Sequence, residues 1–402
     1  MGPTIDLEDL GFDRGASVLV ERALAALAPG AALGVRGRDP HLEVHLPAWA
    51  RARGHQVRRE PAGQAERGGG EFTLVRGTAD DARWRGAVRA GGSGPDGVVA
   101  RAPATWGLAA RGALVEEGGP ALRLADLDRR DEVWADIAPK LYAQALAGQW
   151  DPAKAVDWSA PLDHDPSVEA AVVQVMTFLV ENEQAALVVP ARFIARVHPH
   201  FREVVQLLAV QTADEARHVE VFTRRAELSG GPLGTSGAGG RASLQTLLDE
   251  PDFSLAAFLL SVLGEGTFLD LLSFLERHGP DPVTRRVAHL ALADEARHVA
   301  FGVAHLEHRV ATEPEFRGRL RDAVQRRHDV LASTAGLHAG VFDALVVLAA
   351  GSWTPAAVAT GWERVQALTA AMDEGRRRRL ARLGFPPGEA AELSALHTRN
   401  FM

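Results

Sequence analysis

The chain has 402 residues and no cysteine, which excludes disulfides, zinc-thiolate and iron–sulfur sites, thiolate-ligated haem and any cysteine nucleophile. Lys and Arg number 44 against 52 Asp and Glu, a formal charge of -8, so no global field favours nucleic acid. Hydrophobic residues at 46% and charged residues at 24% fit a globular protein, and the length fits two or three domains.

The opening MGPTIDLEDLGFDRG carries early acidic residues and no apolar segment of the secretory kind. Gly2 is followed by Pro3, which gives little support to lipidation. A cytoplasmic location is expected. Residues 1–80 alternate short elements. TIDL reads as a strand, SVLVERALAALAPG as a helix closed by Pro29 and Gly30, and ALGVR (32–36) as a strand. Asp39-Pro40 opens a second helix that ends at Gly54, and HQVRRE and EFTLVRG are strands around a Gly-rich turn. This is a small α+β domain. Residues 81–128, rich in Gly, Ala and Pro, read as a linker.

From 129 the character changes. DEVWADIAPKLYAQALAGQW is expected as a helix. Four helices of 20–30 residues are expected at about 167–197, 200–228, 252–278 and 281–309, separated by HPH, SGGPLGTSGAGG and GPDP. Further helices are expected over 315–350 and 355–382. The layout is mainly α: a helical bundle over 129–310, then accessory C-terminal helices over 311–402. The most apolar stretches, LAAFLLSVLG (255–264) and ALVVLAAG (344–351), are each too short to span a bilayer.

The bundle holds an imperfect repeat, ADEARHVEVF (213–222) and ADEARHVAFG (293–302). Each copy carries Glu-x-x-His, Glu215/His218 and Glu295/His298, whose members share a helix face. Glu183 lies 32 residues before Glu215 and Glu265 lies 30 residues before Glu295, in each case across a short turn. Antiparallel helices joined that way bring both residues to one depth. Four Glu and two His then converge inside an apolar bundle, at a prohibitive cost without cations. Two divalent metals offset it, and mixed carboxylate and imidazole ligation suits iron or manganese. The metal ligands expected are Glu183, Glu215, His218, Glu265, Glu295 and His298. A single Glu-x-x-His would read as a solvated face; two copies in register with two upstream Glu, amid apolar flanks, do not.

Asp214 and Asp294 precede the motif Glu residues. Across the bundle Asp214 is expected to orient His298 and Asp294 to orient His218, with Arg217 and Arg297 paired to the two Asp. Gln211 is expected to hydrogen-bond within the bundle, His289 to fall off the ligand face and His305 to be a second-layer or core residue. Phe178, Phe222, Thr267, Phe268, Leu271 and Phe301 are candidates to line a substrate cavity. The four-Arg run in GRRRRLARLG (375–384) is expected as a solvated helix face or an interface, and Trp353 and Trp362 as packing for the added helices.

At these residues the sequence resembles the ferritin-like superfamily of non-haem di-iron oxidases and oxygenases. The Asp-Glu-x-Arg-His wording is similar to bacterial monooxygenase hydroxylases. The stretch LYAQALAGQWDPAKAVDWS (141–159) resembles the segment ahead of the first ligand helix in ribonucleotide reductase small subunits and R2-like ligand-binding oxidases. The resemblance covers roughly 130–310. It implies a ferritin-like four-helix bundle, two Fe ions or a Mn/Fe pair, O2 as co-substrate, bridging roles for Glu215 and Glu295, and terminal roles for Glu183 and Glu265. It implies oxidation of a small organic substrate; a ferroxidase or iron-handling protein, or a non-catalytic binding protein derived from such an oxidase, are the alternatives. An electron-donor protein and a homodimer are partners it admits, with no nucleic acid and no membrane. There are departures. The radical Tyr position one turn after the first ligand His is Phe222. The monooxygenase Thr position is Leu269. The extra His of the N-oxygenases is Ala291. Residues 10–57 resemble the TusA family of sulfur carriers, but GASVLVE stands where those proteins place Cys-Pro, so persulfide chemistry is excluded.

Overall fold

The structure, a computed structural model, describes residues 2–59, 70–79, 84–332 and 339–397. The chain divides into two compact units: Met1–Arg89 with Ala113–Gly119, and Ala90–Gly112 with Pro120–Met402.

The first unit is a mixed α+β layer pair. Its strands are β1 (Thr4–Asp6), β2 (Ala32–Gly37), β3 (Gln56–Arg59) and β4 (Gly70–Val75), and its helices are α1 (Ala16–Ala25) and α2 (Leu42–Ala52). The sheet order is β1-β2-β4-β3. β1 runs parallel to β2, and β4 pairs antiparallel with both β2 and β3. Leu33 and Val35, two apart, point to one face of β2. Ala16, Val20 and Leu24 on α1, and Leu42, Leu46 and Ala50 on α2, recur every four residues and pack there with Phe72 and Leu74. Two short strands, β5 (Val88–Arg89) and β6 (Leu114–Val115), pair antiparallel as a separate ribbon.

The second unit is helical. Within the linker stretch, Ala90–Gly112 folds with this unit. There Arg111 is buried and forks onto Glu203, with Nη1 2.7 Å from Oε2. The helix expected over DEVWADIAPKLYAQALAGQW is broken into α3 (Arg130–Val133) and α4 (Ala138–Ala147). Pro139 causes the break, because proline is tolerated in a first turn and not in a helix interior. After α5 (Pro152–Ala155) come the long elements α6 (Pro166–Ile194), α7 (Arg202–Glu227), α8 (Ala238–Leu248), α9 (Phe253–Ala257), α10 (Gly266–His278) and α11 (Pro282–Thr312). Between α9 and α10, Phe258–Glu265 is wound as a π-helix, so Phe253–His278 is one continuous rod. Asp165 and Asp281 cap α6 and α11 through the N–H groups of Ser167 and Thr284, each followed by Pro at the first helical position.

α6, α7, α9–α10 and α11 form the four-helix core, whose contacts are chiefly α6 on α7 and α10 on α11. The accessory helices are α12 (Phe316–Leu331), α13 (Ala339–Ala350), α14 (Pro355–Arg382) and α15 (Pro387–His397). Of the further helices expected, 315–350 holds α12 and α13, and 355–382 holds α14. The protein is a mainly α, ferritin-like helical bundle preceded by a small α+β region.

The stretch LAAFLLSVLG is not an isolated short segment. It lies within Phe253–His278, which, like α6, is long and apolar enough by length and composition to cross a membrane; 83% and 67% of their apolar windows are buried inside the bundle. α13 and α14 meet that criterion only as one span bent by 116°. The Arg run splits: Arg377 and Arg378 are exposed, whereas Arg376 is buried and Arg379 donates to the Val262 carbonyl. Helical spacing turns the first and last Arg inward together. Trp353 and Trp362 are 59% and 51% exposed, so they do little of the packing expected of them, although Trp362 meets Phe342 edge-on.

Candidate metal centre

Each core helix brings its polar residue inward from an otherwise apolar face. Glu183 comes from α6, Glu215 and His218 from α7, Glu265 from the last residue of the π-helix, and Glu295 and His298 from α11. All six are at most 5% exposed. They form two overlapping sets: Glu183, Glu215, His218 and Glu295; and Glu215, Glu265, Glu295 and His298. Within each set one oxygen or nitrogen per residue lies within 4.8 Å of all the others. Glu215 and Glu295 belong to both sets.

The imidazoles are held in one orientation. His218 Nδ1 faces the carboxylates, 3.3 Å from Glu183, 3.2 Å from Glu215 and 3.2 Å from Glu295. Its Nε2 lies 3.2 Å from Asp294 Oδ2. His298 repeats this, with Nδ1 2.9 Å from Glu215 and Nε2 3.3 Å from Asp214 Oδ2. Each Asp thus accepts from the imidazole of the other half, leaving Nδ1 as the ligand atom. Arg217 bridges Asp214 and Asp294, 2.9 Å from the latter, and Arg297 pairs with Asp294. Two further partners lie in the segment before α5. Gln149 donates to Asp214 at 2.9 Å and Trp150 donates through its indole N–H to Asp294 at 2.8 Å. Arg217 stacks 4.6 Å over the Trp150 ring and donates to Gln149. The sequence offered no signal for Gln149 and Trp150 beyond a resemblance over that stretch.

The electrostatics are those of a site built around cations. Burial, followed by the charges of Glu215 and Glu295, pushes Glu183 and Glu265 well above the usual carboxylate range. At Glu215 burial is outweighed by His298 and His218, which hold it well below that range. Burial is also outweighed at the imidazoles, which the surrounding carboxylates raise well above the ordinary range. Glu215 Oε1, Glu265 Oε2, both oxygens of Glu295 and His298 Nδ1 are buried with no well-formed hydrogen bond. Crowded, unbonded lone pairs are the donor set of a metal site. The carboxylates of Glu183, Glu215, Glu265, Glu295, Asp214 and Asp294 face the guanidiniums of Arg217 and Arg297. With neutral imidazoles four negative charges remain, the charge of two divalent cations. The residues fit such a pair.

A cavity of about 330 Å³, counted with its mouth, opens beside Glu183, Glu265 and Glu295. Leu244 and Leu247 of α8, with Leu260, Phe268 and Asn182, wall it. Of the residues expected to line it, Phe268 does so, and Phe178 stacks behind Phe268 at 5.9 Å between centroids. Phe301 lines a second apolar cavity with Gln211 and Ser261, and Leu260 borders both. Phe222 sits against His218, 6.2 Å between centroids, and Leu271 is core. Thr267 faces the accessory helices, where it accepts from Arg376 at 3.2 Å. Gln211 donates to Glu265 at 3.2 Å. His289, itself exposed, pairs with half-buried Glu276, off the site. His305 is core: Nδ1 donates to the Trp134 carbonyl, Nε2 accepts from Ser254, and burial pushes it down to about 4.

No family model and no curated protein matches the sequence. Solved structures that resemble it include an R2-like ligand-binding oxidase with aerobically reconstituted metal cofactor after photoconversion, 19% identical with a TM-score of 0.43, covering 64% of this chain and 92% of that one. A variant of such an oxidase with an anaerobically reconstituted Mn/Fe cofactor is 20% identical with a TM-score of 0.42, covering 64% and 93%. Likeness at this level carries neither activity nor ligand from those proteins to this one.

Proposed function

We propose that this chain is an O2-dependent non-haem oxidoreductase that oxidises a small organic substrate at a carboxylate-bridged dinuclear centre. One observation carries the reading: two four-residue ligand sets, buried and overlapping, share Glu215 and Glu295. Iron or manganese ions bound there would supply the electrons for reduction of O2. Glu215 and Glu295 would span both ions, Glu183 and His218 would serve one and Glu265 and His298 the other. Asp214 and Asp294 hold the imidazoles by their Nε2–H groups, and Arg217 and Arg297 balance those Asp. Gln211 orients Glu265. Leu244, Leu247, Leu260 and Phe268 keep bulk water from the side on which substrate would lie. A separate electron-donor protein would return the centre to its reduced state, and the proposed location is the cytoplasm. For the first unit we propose a sulfur-carrier-like module without carrier chemistry. Its β-α-β-α-β-β order supports that reading, and Ala16 stands at the start of the first helix.

Elemental analysis after anaerobic Fe(II) loading tests the centre. About two metals per chain are expected, lost in Glu215→Ala and His298→Ala. Absence of bound transition metal after reconstitution would overturn the reading. O2 uptake that yields only ferric mineral, with no oxidised organic product, would assign iron handling instead.

A further inference from the structure

The cavity beside the candidate centre is one half of a longer groove. Along α6, Asn182 and Ala186 border that inner cavity, and Val189 and Phe193 border the second one. Along the Phe253–His278 rod, Gly264 and Phe268 border the inner cavity, Ala257 the second, and Leu260 both. Each set recurs every three or four residues, so it lies on one face of its helix. The order ascends on α6 and descends on the rod, as in an antiparallel pair. The two cavities are therefore successive compartments of one groove between these helices. Ala186, Ala257 and Gly264 have little or no side chain with which to fill it. Leu260, 6% exposed, stands at the partition.

The compartments have different mouths. In the inner one Leu244 of α8 is half-buried and the other lining residues are buried; in the outer one Ala257 holds that place. The outer compartment measures about 300 Å³ counted with its mouth, and its enclosed part has room for about one or two water-sized molecules. Its polar side chains are turned to the centre: Gln211 donates to Glu265 at 3.2 Å, and Ser261 faces the same carboxylate. Most of the remaining wall is apolar, with Phe193, Leu208, Phe253 and Phe301 prominent in it. Such a void offers water few partners and suits a small apolar molecule. The inner compartment encloses no more space, so an organic molecule enters it only by displacing Leu244, and it then plugs that mouth.

We propose that the outer compartment is the entrance for O2, which passes Leu260 to the centre while an organic substrate occupies the mouth at Leu244. This rests on the oxidase reading of the centre. Leu260 is then a specificity-determining residue. Its side chain yields to a diatomic molecule and keeps a larger one in the inner compartment.

Crystals of the full chain pressurised with xenon test the compartment without any metal. Xenon is expected between Phe193, Phe253, Leu260 and Phe301. Stopped-flow oxidation of the Fe(II)-loaded chain tests the path. Leu260→Trp and Ala257→Phe should each lower the rate constant for O2 at least about tenfold, with metal content unchanged. Oxidation by ferricyanide, an outer-sphere oxidant that needs no cavity, should keep the parental rate. An empty outer compartment under xenon would overturn the proposal. So would an O2 rate unchanged in both variants, or equal slowing with ferricyanide, which would mean that the centre itself had changed. Should L260W fail to fold, A257F at the half-buried mouth must by itself lower the O2 rate. Absence of bound metal would overturn the oxidase reading and with it the assignment of O2, whereas an empty compartment in a chain that binds metal overturns the present inference alone.

Discussion

Asp294 does more for the candidate centre than its distance from the metal positions suggests. One carboxylate accepts from the His218 imidazole, the Trp150 indole and both Arg217 and Arg297. Replacing it with Asn keeps the shape and removes the charge that holds the His218 Nε2–H. Metal affinity of Asp294→Asn should fall by about 10- to 100-fold, measured by competition with a chelator, with full occupancy regained at high metal. Unchanged affinity would show that His218 is held by packing alone. Asp294 and Asp214 were legible in the sequence because the repeat fixes their offset from Glu and His on the same helix. Gln149 and Trp150 were not, since they reach the two Asp across 65 and 144 positions and belong to no period.

Among the elements, the ends of α6, α7 and α11 are joined by a buried knot. Arg225 on α7 forks onto Glu169 at 2.7 and 2.8 Å, reaches Asp281 at 2.7 Å and donates to Thr284 at 2.7 Å. His164 closes on Glu169 at 2.6 Å. Arg225→Met leaves two buried carboxylates without their cation, and urea denaturation should show a loss of about 3–5 kcal/mol; a loss below 1 kcal/mol, on the order of a surface pair, would place the knot outside the stabilising core. Helix ends of this kind were readable, because Asp-Pro at 165–166 and 281–282 is a capping signal. The π-helix was not. Ahead of Glu265, the segment Phe258–Gly264 carries a single polar side chain, Ser261, so it has no polar face whose drift would betray the wider turn, and only its partners fix the winding. One such partner is Gly302 on α11, where a Cβ would come within 2.3 Å of the Ser261 Cβ.

At the scale of the whole molecule, the bundle is divided between apolar burial and a charged centre that opposes it. Metal-free, Glu183, Glu265, His218 and His298 keep their protons to higher pH than such groups ordinarily do. A cation must displace them, so binding releases protons and affinity rises with pH; Glu215, held low, has none to give. Calorimetry of metal binding in buffers of different ionisation enthalpy should therefore report net proton release, and chelator competition should give weaker binding at pH 6 than at about pH 8. Fold class and the convergence of six residues were legible because a repeat, two upstream Glu and short turns constrain one another. The accessory side was not. α15 carries no strong period, and the inward turn of Arg376 and Arg379 depends on α14 docking against the π-helix. One further consequence lies in the crossed hydrogen bonds, His218 to Asp294 and His298 to Asp214. Neither helical hairpin can complete its own ligand environment. A single hairpin bearing one copy of the motif would satisfy its imidazole only by pairing reciprocally with its own twin, so the chain carries within itself the geometry of a two-fold dimer fused end to end. The unequal residues at Gln211 and Ala291 mark where the two halves depart from that symmetry, Gln211 donating to Glu265 and Ala291 lying in the apolar core.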